Sequence, residues 1–345
     1  MKKISKTVVF FGNERLATGV TTEATVLRRL IKNGYKVAAV IVNQDEYKSR
    51  KIRQLEVETV AQQAKIKLLT PHKLSEIIEE LQGLDAQIGI LVAYGKIIPG
   101  SVIDIFPSGI INIHPSLLPH GRGPTPIEQA ILDGAKETGV SIMQLAQDMD
   151  AGPIYGQAKL KLSGYESKQQ LADSLLKMGN DLLINYLPEI ISGIKTPIPQ
   201  DNKLATYNDL IDRSQSKIDW HKPALQIERE IRAYKNWPKS WTKLKGHQLI
   251  IIEASILKDV KLPPGELKLV DDSRLFVGCS GGALEIKRIQ PLNKGEASVK
   301  SYLAGNRHFL KTWLNLEERG KVTKVHFSSQ STTGIRQQEA EDLFQ

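Results

Sequence analysis

Asn112 and His114 stand two residues apart in the run Ile111-Asn112-Ile113-His114-Pro115. The β-branched neighbours mark a short strand, and alternation sends the amide and the imidazole to one face. Pro115 and Pro119 then stop the strand, so the pair sits near a strand end. Further on, Gln147-Asp148-Met149-Asp150-Ala151-Gly152 forms a turn with two carboxylates. An amide can donate to a developing oxyanion. An imidazole can polarise a carbonyl or move a proton, and a carboxylate can orient that ring or accept a proton. These groups together suit acyl transfer. An Asn or His near a strand end is ordinarily structural. Three features weigh the other way: the shared face, a strand closing at the carboxyl edge of a sheet, where open α/β sheets bind ligands, and Asp150 at a comparable strand end. Zinc fits poorly, because two prolines separate His114 from His120 and no second cysteine completes a ligand set.

Such groups need a sheet to position them. Apolar runs at 7–11 and 36–42 flank a helical pattern at 23–32 that stops at Asn33-Gly34. A helix at 52–65, a strand at 66–69, a helix at 74–81 and a strand at 87–93 follow. This β-α-β-α order predicts an α/β fold, a doubly wound, mostly parallel sheet with helices on both faces. Runs at 110–113, 140–147 and 154–162 add strands, and a helix at 168–191 closes the domain. Gly12 follows the first strand alone, where a dinucleotide loop wants three glycines, so a tight strand-to-helix turn is expected there.

Prolines at 197 and 199 punctuate a connector, giving a first domain over 1–200, a linker at 201–206 and a second domain over 207–321. Two short helices, at 207–213 and 224–233, precede strands at 241–244, 249–255, 265–269, 275–278 and 283–290, the cadence of a small β-barrel. The polar tail at 322–345 is expected to be disordered. Residues 1–200 carry 23 Lys+Arg and 20 Asp+Glu (23 − 20 = +3), and residues 201–327 carry 23 and 15 (23 − 15 = +8). The basic second half suits a polyanion such as RNA, or is a soluble basic surface and no more. No apolar run approaches a membrane span, and the apolar stretch after the basic start is too short for a signal peptide. The single cysteine, Cys279, rules out an internal disulfide, fits a cytoplasmic setting and reads as a small buried strand residue rather than a nucleophile.

Three spaced blocks, Asn112-Ile113-His114, Ser116-Leu117-Leu118-Pro119 and Asp150-Ala151-Gly152-Pro153-Ile154, resemble the folate-dependent formyltransferase superfamily, as do Ala93-Tyr94-Gly95, Arg122-Gly123 and Pro126-Ile127. In the second half, Ala205-Thr206-Tyr207, Ile218-Asp219-Trp220, Ile231-Arg232-Ala233 and Trp237-Pro238 are similar to the junction and appended domain of the methionyl-tRNA formyltransferase family. The resemblance implies a Rossmann-like catalytic domain and an OB-like barrel that holds tRNA. It implies 10-formyltetrahydrofolate as formyl donor, initiator methionyl-tRNA as acceptor and no metal; a monomer is expected apart from the resemblance. Asn112 and His114 would donate to the formyl oxygen, while Asp150 would orient His114 and help remove the amine proton. Ser116, Leu117, Leu118, Pro119, Leu91, Tyr94, Gln147 and Asp148 would line the folate pocket, with simple packing an equal reading for Leu117 and Leu118.

Two departures from the family pattern stand out. Gly12-Asn13-Glu14-Arg15 replaces the usual Gly-Thr-Pro, and the loop at 43–52 is shorter than the family's tRNA-reaching loop. Lys48, Arg50, Lys51 and Arg53 still make a positive cluster, which with Arg122 is expected to meet nucleic acid; a solvated face is the plainer reading of the cluster. Trp220, Trp237 and Trp241 read as core or interface anchors before base-stacking platforms. A nucleotide-sugar formyltransferase would share the same Asn, His and Asp, and Gly123-Pro124-Thr125-Pro126 leans toward that branch. The usual single-domain form of glycinamide ribonucleotide transformylase argues against that relative. A non-catalytic RNA-binding protein on this fold is the reading from another class.

Overall fold

The strand β1 (Thr7–Gly12) is buried at every position, as a Thr-Val-Val-Phe-Phe-Gly run must be when a sheet is covered on both faces. The protein is described by a computed structural model covering residues 5–43, 54–244, 247–271, 273–305 and 325–326. Six further strands join β1: β2 (Lys36–Ile41), β3 (Lys67–Leu69), β4 (Ile88–Val92), β5 (Ile110–His114), β6 (Glu137–Gln144) and β7 (Ile154–Lys161). They lie in the order β3-β2-β1-β4-β5-β6-β7. Neighbours are parallel from β3 to β5, whereas β6 and β7 are antiparallel. The expected mostly parallel α/β sheet is therefore present.

Helices α1 (Thr25–Lys32), α2 (Glu56–Gln63), α3 (Ile78–Gly83), α4 (Gly100–Ile103) and α5 (Pro126–Asp133) lie between these strands in the chain, and α6 (Lys168–Ile191) follows β7. α6 starts at a reciprocal capping box between Ser167 and Gln170, which satisfies two orphan backbone donors. Its Gly179 lies so close to Ile113 that a Cβ there would stand 2.4 Å from the Ile113 side chain. Ile113 thus faces α6, and alternation leaves Asn112 and His114 on the opposite face of β5.

Two units divide the chain: Met1–Ile211 with Lys235–Trp237, and Asp212–Tyr234 with Pro238–Gln345. The 201–206 segment belongs to the first, because the chain from Thr206 to Asn208 runs alongside the loop after β5. Arg122 N–H donates to Thr206 O and Asn208 N–H to Arg122 O. The helix expected at 207–213 is accordingly absent: Tyr207 is extended in a bridge with Arg122, and a 3₁₀ turn follows at Arg213–Ser216.

In the second unit, α7 (Ala224–Ala233) is followed by β8 (Trp241–Leu244), β9 (His247–Leu257), β10 (Glu266–Val270), β11 (Arg274–Cys279), β12 (Gly282–Pro291), β13 (Ala297–Ser298), α8 (Val299–Gly305) and β14 (Val325–His326), and α7 packs on β9 and β12. The sheet runs β14-β10-β11-β12-β9-β8, with β13 beside β12, and all these pairs are antiparallel. Among the described residues β8 and β14 are open ends, so an antiparallel sheet is present and no closure of a barrel is seen. Trp220 sits inside this core, its Nε1 donating to Thr242 Oγ1 at 3.1 Å. Cys279 is buried there too, and burial pushes its thiol up to about 12, far from a nucleophile's range. Apart from β14, the tail expected to be disordered lies outside the described residues.

Candidate active site

β5 presents Asn112 and His114 from the face opposite α6, with Asn112 opposite Leu91 of β4 and Met143 of β6. Asn112 is 7% exposed, and its side-chain amide has no hydrogen-bond partner among the described residues. That leaves a fixed donor with nothing to donate to, the state expected of a group kept for a developing negative oxygen. His114 has a polar neighbour at each ring nitrogen. Its Nε2 lies 3.0 Å from Gly121 O, and its Nδ1 lies 3.6 Å from Asp150 Oδ1. A carbonyl only accepts, so Nε2 carries a proton and donates to it. The ring therefore keeps its Nε2 proton on Gly121 O, with Nδ1 toward Asp150.

Asp150 reaches this place by an indirect route. β6 is antiparallel to β5, so the turn after it leaves the sheet beside Ile111 and not beside His114. The shared carboxyl edge expected for all three groups is thus not how they meet. The turn folds back instead, and Gly123 N–H donates to Asp150 Oδ2 at 2.8 Å. Gly123 has φ +110°, and a Cβ there would lie 2.3 Å from Asn208 O, so only glycine brings this N–H into place. Gly152 is equally constrained, since a Cβ would lie 1.9 Å from Gln144 O. Asp150 itself has φ +49°, a conformation Asp takes more readily than most L-residues but at a cost unless its surroundings insist on it.

Gln200 supplies part of that insistence. Its Nε2 donates to Asp150 O and to Gly152 O, each at 2.7 Å. Its Oε1 accepts from Arg122 Nε at 3.1 Å and Nη2 at 2.9 Å. Arg122 also donates to Asn202 Oδ1 at 2.7 Å and to Tyr207 Oη at 2.9 Å. At 2% exposure and with these bonds, Arg122 is a buried brace of the loop, which corrects its expected place on a nucleic-acid surface. Nothing in the sequence marked Gln200 beyond its place in the proline-rich connector.

The remaining expected site residues divide. Ser116 is buried and donates to His120 O at 2.7 Å, shaping the turn. Leu118 is buried, its N–H and C=O held by Ser141 and Gln157, and Leu117 packs against Gly139; Pro119 follows a cis peptide bond. These leucines fit the packing reading. Leu91 and Tyr94 belong to a buried cluster with Phe11 and Phe106, and burial pushes the Tyr94 phenol up to about 12. Leu91 is the register partner of Asn112 and lies on the same face of the sheet. Gln147 and Asp148 are exposed on the turn. Lys48, Arg50, Lys51 and Arg53 lie outside the described residues. Among the described residues no cluster of metal-ligating side chains occurs.

A mostly parallel sheet with an unpartnered amide and an imidazole on one face, and a carboxylate folded back beside the imidazole, defines a class of group-transfer enzyme, with a separate antiparallel sheet domain appended. The chain belongs to the formyl transferase family: the family's "Formyl transferase" model matches residues 6–187 and its "Formyl transferase, C-terminal domain" model matches residues 210–307. It is similar to the methionyl-tRNA formyltransferase of Chloroflexus aurantiacus, at 35% identity over 81% of this chain and 92% of that protein. It is similar also to the methionyl-tRNA formyltransferase of Roseiflexus castenholzii, at 36% identity over 88% of this chain and 97% of that one. Among solved structures it shares its fold with HypX from Aquifex aeolicus in complex with tetrahydrofolic acid, with a TM-score of 0.63 and 16% identity over 90% of this chain and 48% of that chain. This chain thus spans about half the length of HypX.

Proposed function

We propose that this chain transfers the formyl group of 10-formyltetrahydrofolate to the free α-amine of methionyl-initiator tRNA. The observation that carries the reading is the unpartnered Asn112 amide beside the His114–Asp150 pair. The neutral amine attacks the formyl carbon, and the carbonyl electrons move onto oxygen. Asn112 donates to that oxygen, and one such donor is worth about 3 kcal/mol in the transition state. The amine proton passes to the His114–Asp150 pair, which gives it on to N10 of the folate as the C–N10 bond breaks and the carbonyl reforms. Gln147 and Asp148, exposed on the turn, meet the folate. The second unit acts as an OB-like domain that holds the tRNA, in line with its basic sequence and with relatives matched across both units. The enzyme works as a cytoplasmic monomer.

The test is a formylation assay with 10-formyltetrahydrofolate and three acceptors: methionyl-initiator tRNA, methionyl-elongator tRNA and an amino-sugar nucleotide. Turnover confined to the initiator tRNA is expected. Turnover of the sugar nucleotide alone would overturn the reading in favour of the other formyltransferase branch.

A further inference from the structure

We propose that Gln200 is a positioning residue for formyl transfer, its amide clamping the Asp150 turn against His114 while Arg122 fixes the way that amide faces. The inference rests on the formyl-transfer reading of the site. Asp150 comes from a turn that leaves the sheet at the wrong end of β5, in a left-handed conformation, so something must hold it over His114. Gly123 N–H holds the carboxylate through Oδ2 alone. Gln200 holds the backbone on either side of it, gripping the carbonyls of Asp150 and Gly152 with the two protons of one nitrogen.

The orientation of the amide is not arbitrary. A guanidinium only donates, so the atom facing Arg122 must be the oxygen, and the nitrogen must face the two carbonyls. Arg122 is set in turn by Asn202 and Tyr207. Residues 200–207 therefore act as a built part of the catalytic floor. A misplacement of about 1 Å at a reacting group can cost about a hundredfold in rate, so a clamp of this kind is read in turnover.

Gln200→Glu separates the clamp from the brace. It keeps size and strengthens the contact with Arg122, yet it turns two donated bonds into oxygen facing oxygen. Turnover of methionyl-tRNA should fall about tenfold to a hundredfold, while KM for tRNA and for folate stays within about threefold. In an Asp150→Asn background the same substitution should cost nothing further, since residues acting as one unit are non-additive. An additive loss, a loss carried by KM, or unchanged turnover would overturn the clamp. If Gln200→Glu does not fold, Gln200→Met removes the donors without a charge and goes through the same cycle, with the same outcomes deciding. Wild-type turnover with an unchanged variant sinks only the clamp; absent wild-type turnover sinks the formyl-transfer reading, and the clamp with it.

Discussion

At the residue scale the site depends on one amide left without a partner and one imidazole bonded to a carbonyl at Nε2 with a carboxylate 3.6 Å from Nδ1. If Asn112 acts only on the formyl oxygen, Asn112→Ala should lower kcat about a hundredfold or more and leave KM for tRNA nearly unchanged. Steady-state kinetics with charged initiator tRNA checks this, and a loss confined to KM would assign Asn112 to binding. Asn112 and His114 were legible in the sequence because period-two alternation is local and a proline turn marks its end. Asp150 was legible as a residue but not by its route, because the antiparallel direction of β6 is a property of the sheet. Gln200 and the brace role of Arg122 were not legible at all. Each depends on hydrogen bonds across about fifty or more positions of chain, which no spacing rule reaches.

At the element scale two buried charged groups set the start of helices. Lys168, the first residue of α6, lies 3.6 Å from Glu128 of α5 and donates to Trp237 O at 3.1 Å. Both side chains are about 2% exposed, and burial pushes the carboxyl up and the ammonium down. Removing one partner strands the other, so Lys168→Met should cost about 3–5 kcal/mol in urea unfolding. Adding Glu128→Gln should restore part of that loss. At α1, Glu14 accepts from Val26 N–H and Leu27 N–H, two orphan donors of the first turn. Those bonds favour the carboxylate, yet burial wins and pushes its pKa from 4.5 to about 7. The folded chain then holds this proton more tightly than the unfolded one, so the stabilisation is complete below about pH 4.5 and is lost as pH rises through 7. Relative to Glu14→Gln, the wild type should lose on the order of 3 kcal/mol over that window. Chemical unfolding of both proteins at several pH values checks it, and parallel curves would show that Glu14 stays ionised. A polar Gly-Asn-Glu-Arg run gave no hint of this, since the donors Glu14 meets come from a helix a dozen residues on.

At the scale of the whole molecule the charge is uneven: +3 over residues 1–200 and +8 over residues 201–327. That asymmetry was legible from composition, as was an all-β cadence after residue 240, because both are sums over long windows. Closure of a barrel was not, since it depends on whether the end strands meet. Two explanations of the basic half compete, a tRNA surface and a merely soluble one, and salt separates them. Each phosphate met by Lys or Arg releases a counterion, so log affinity falls with log salt in proportion to the number of contacts. The exposed Lys258, Lys261, Lys294 and Lys300 lie in the second unit. Reversing all four to Glu should raise KM for tRNA about tenfold or more at low salt and flatten its salt dependence, while KM for folate and kcat hold. An unchanged tRNA KM with the same salt slope would show that these lysines only keep the protein in solution, and that the acceptor is held elsewhere on the chain.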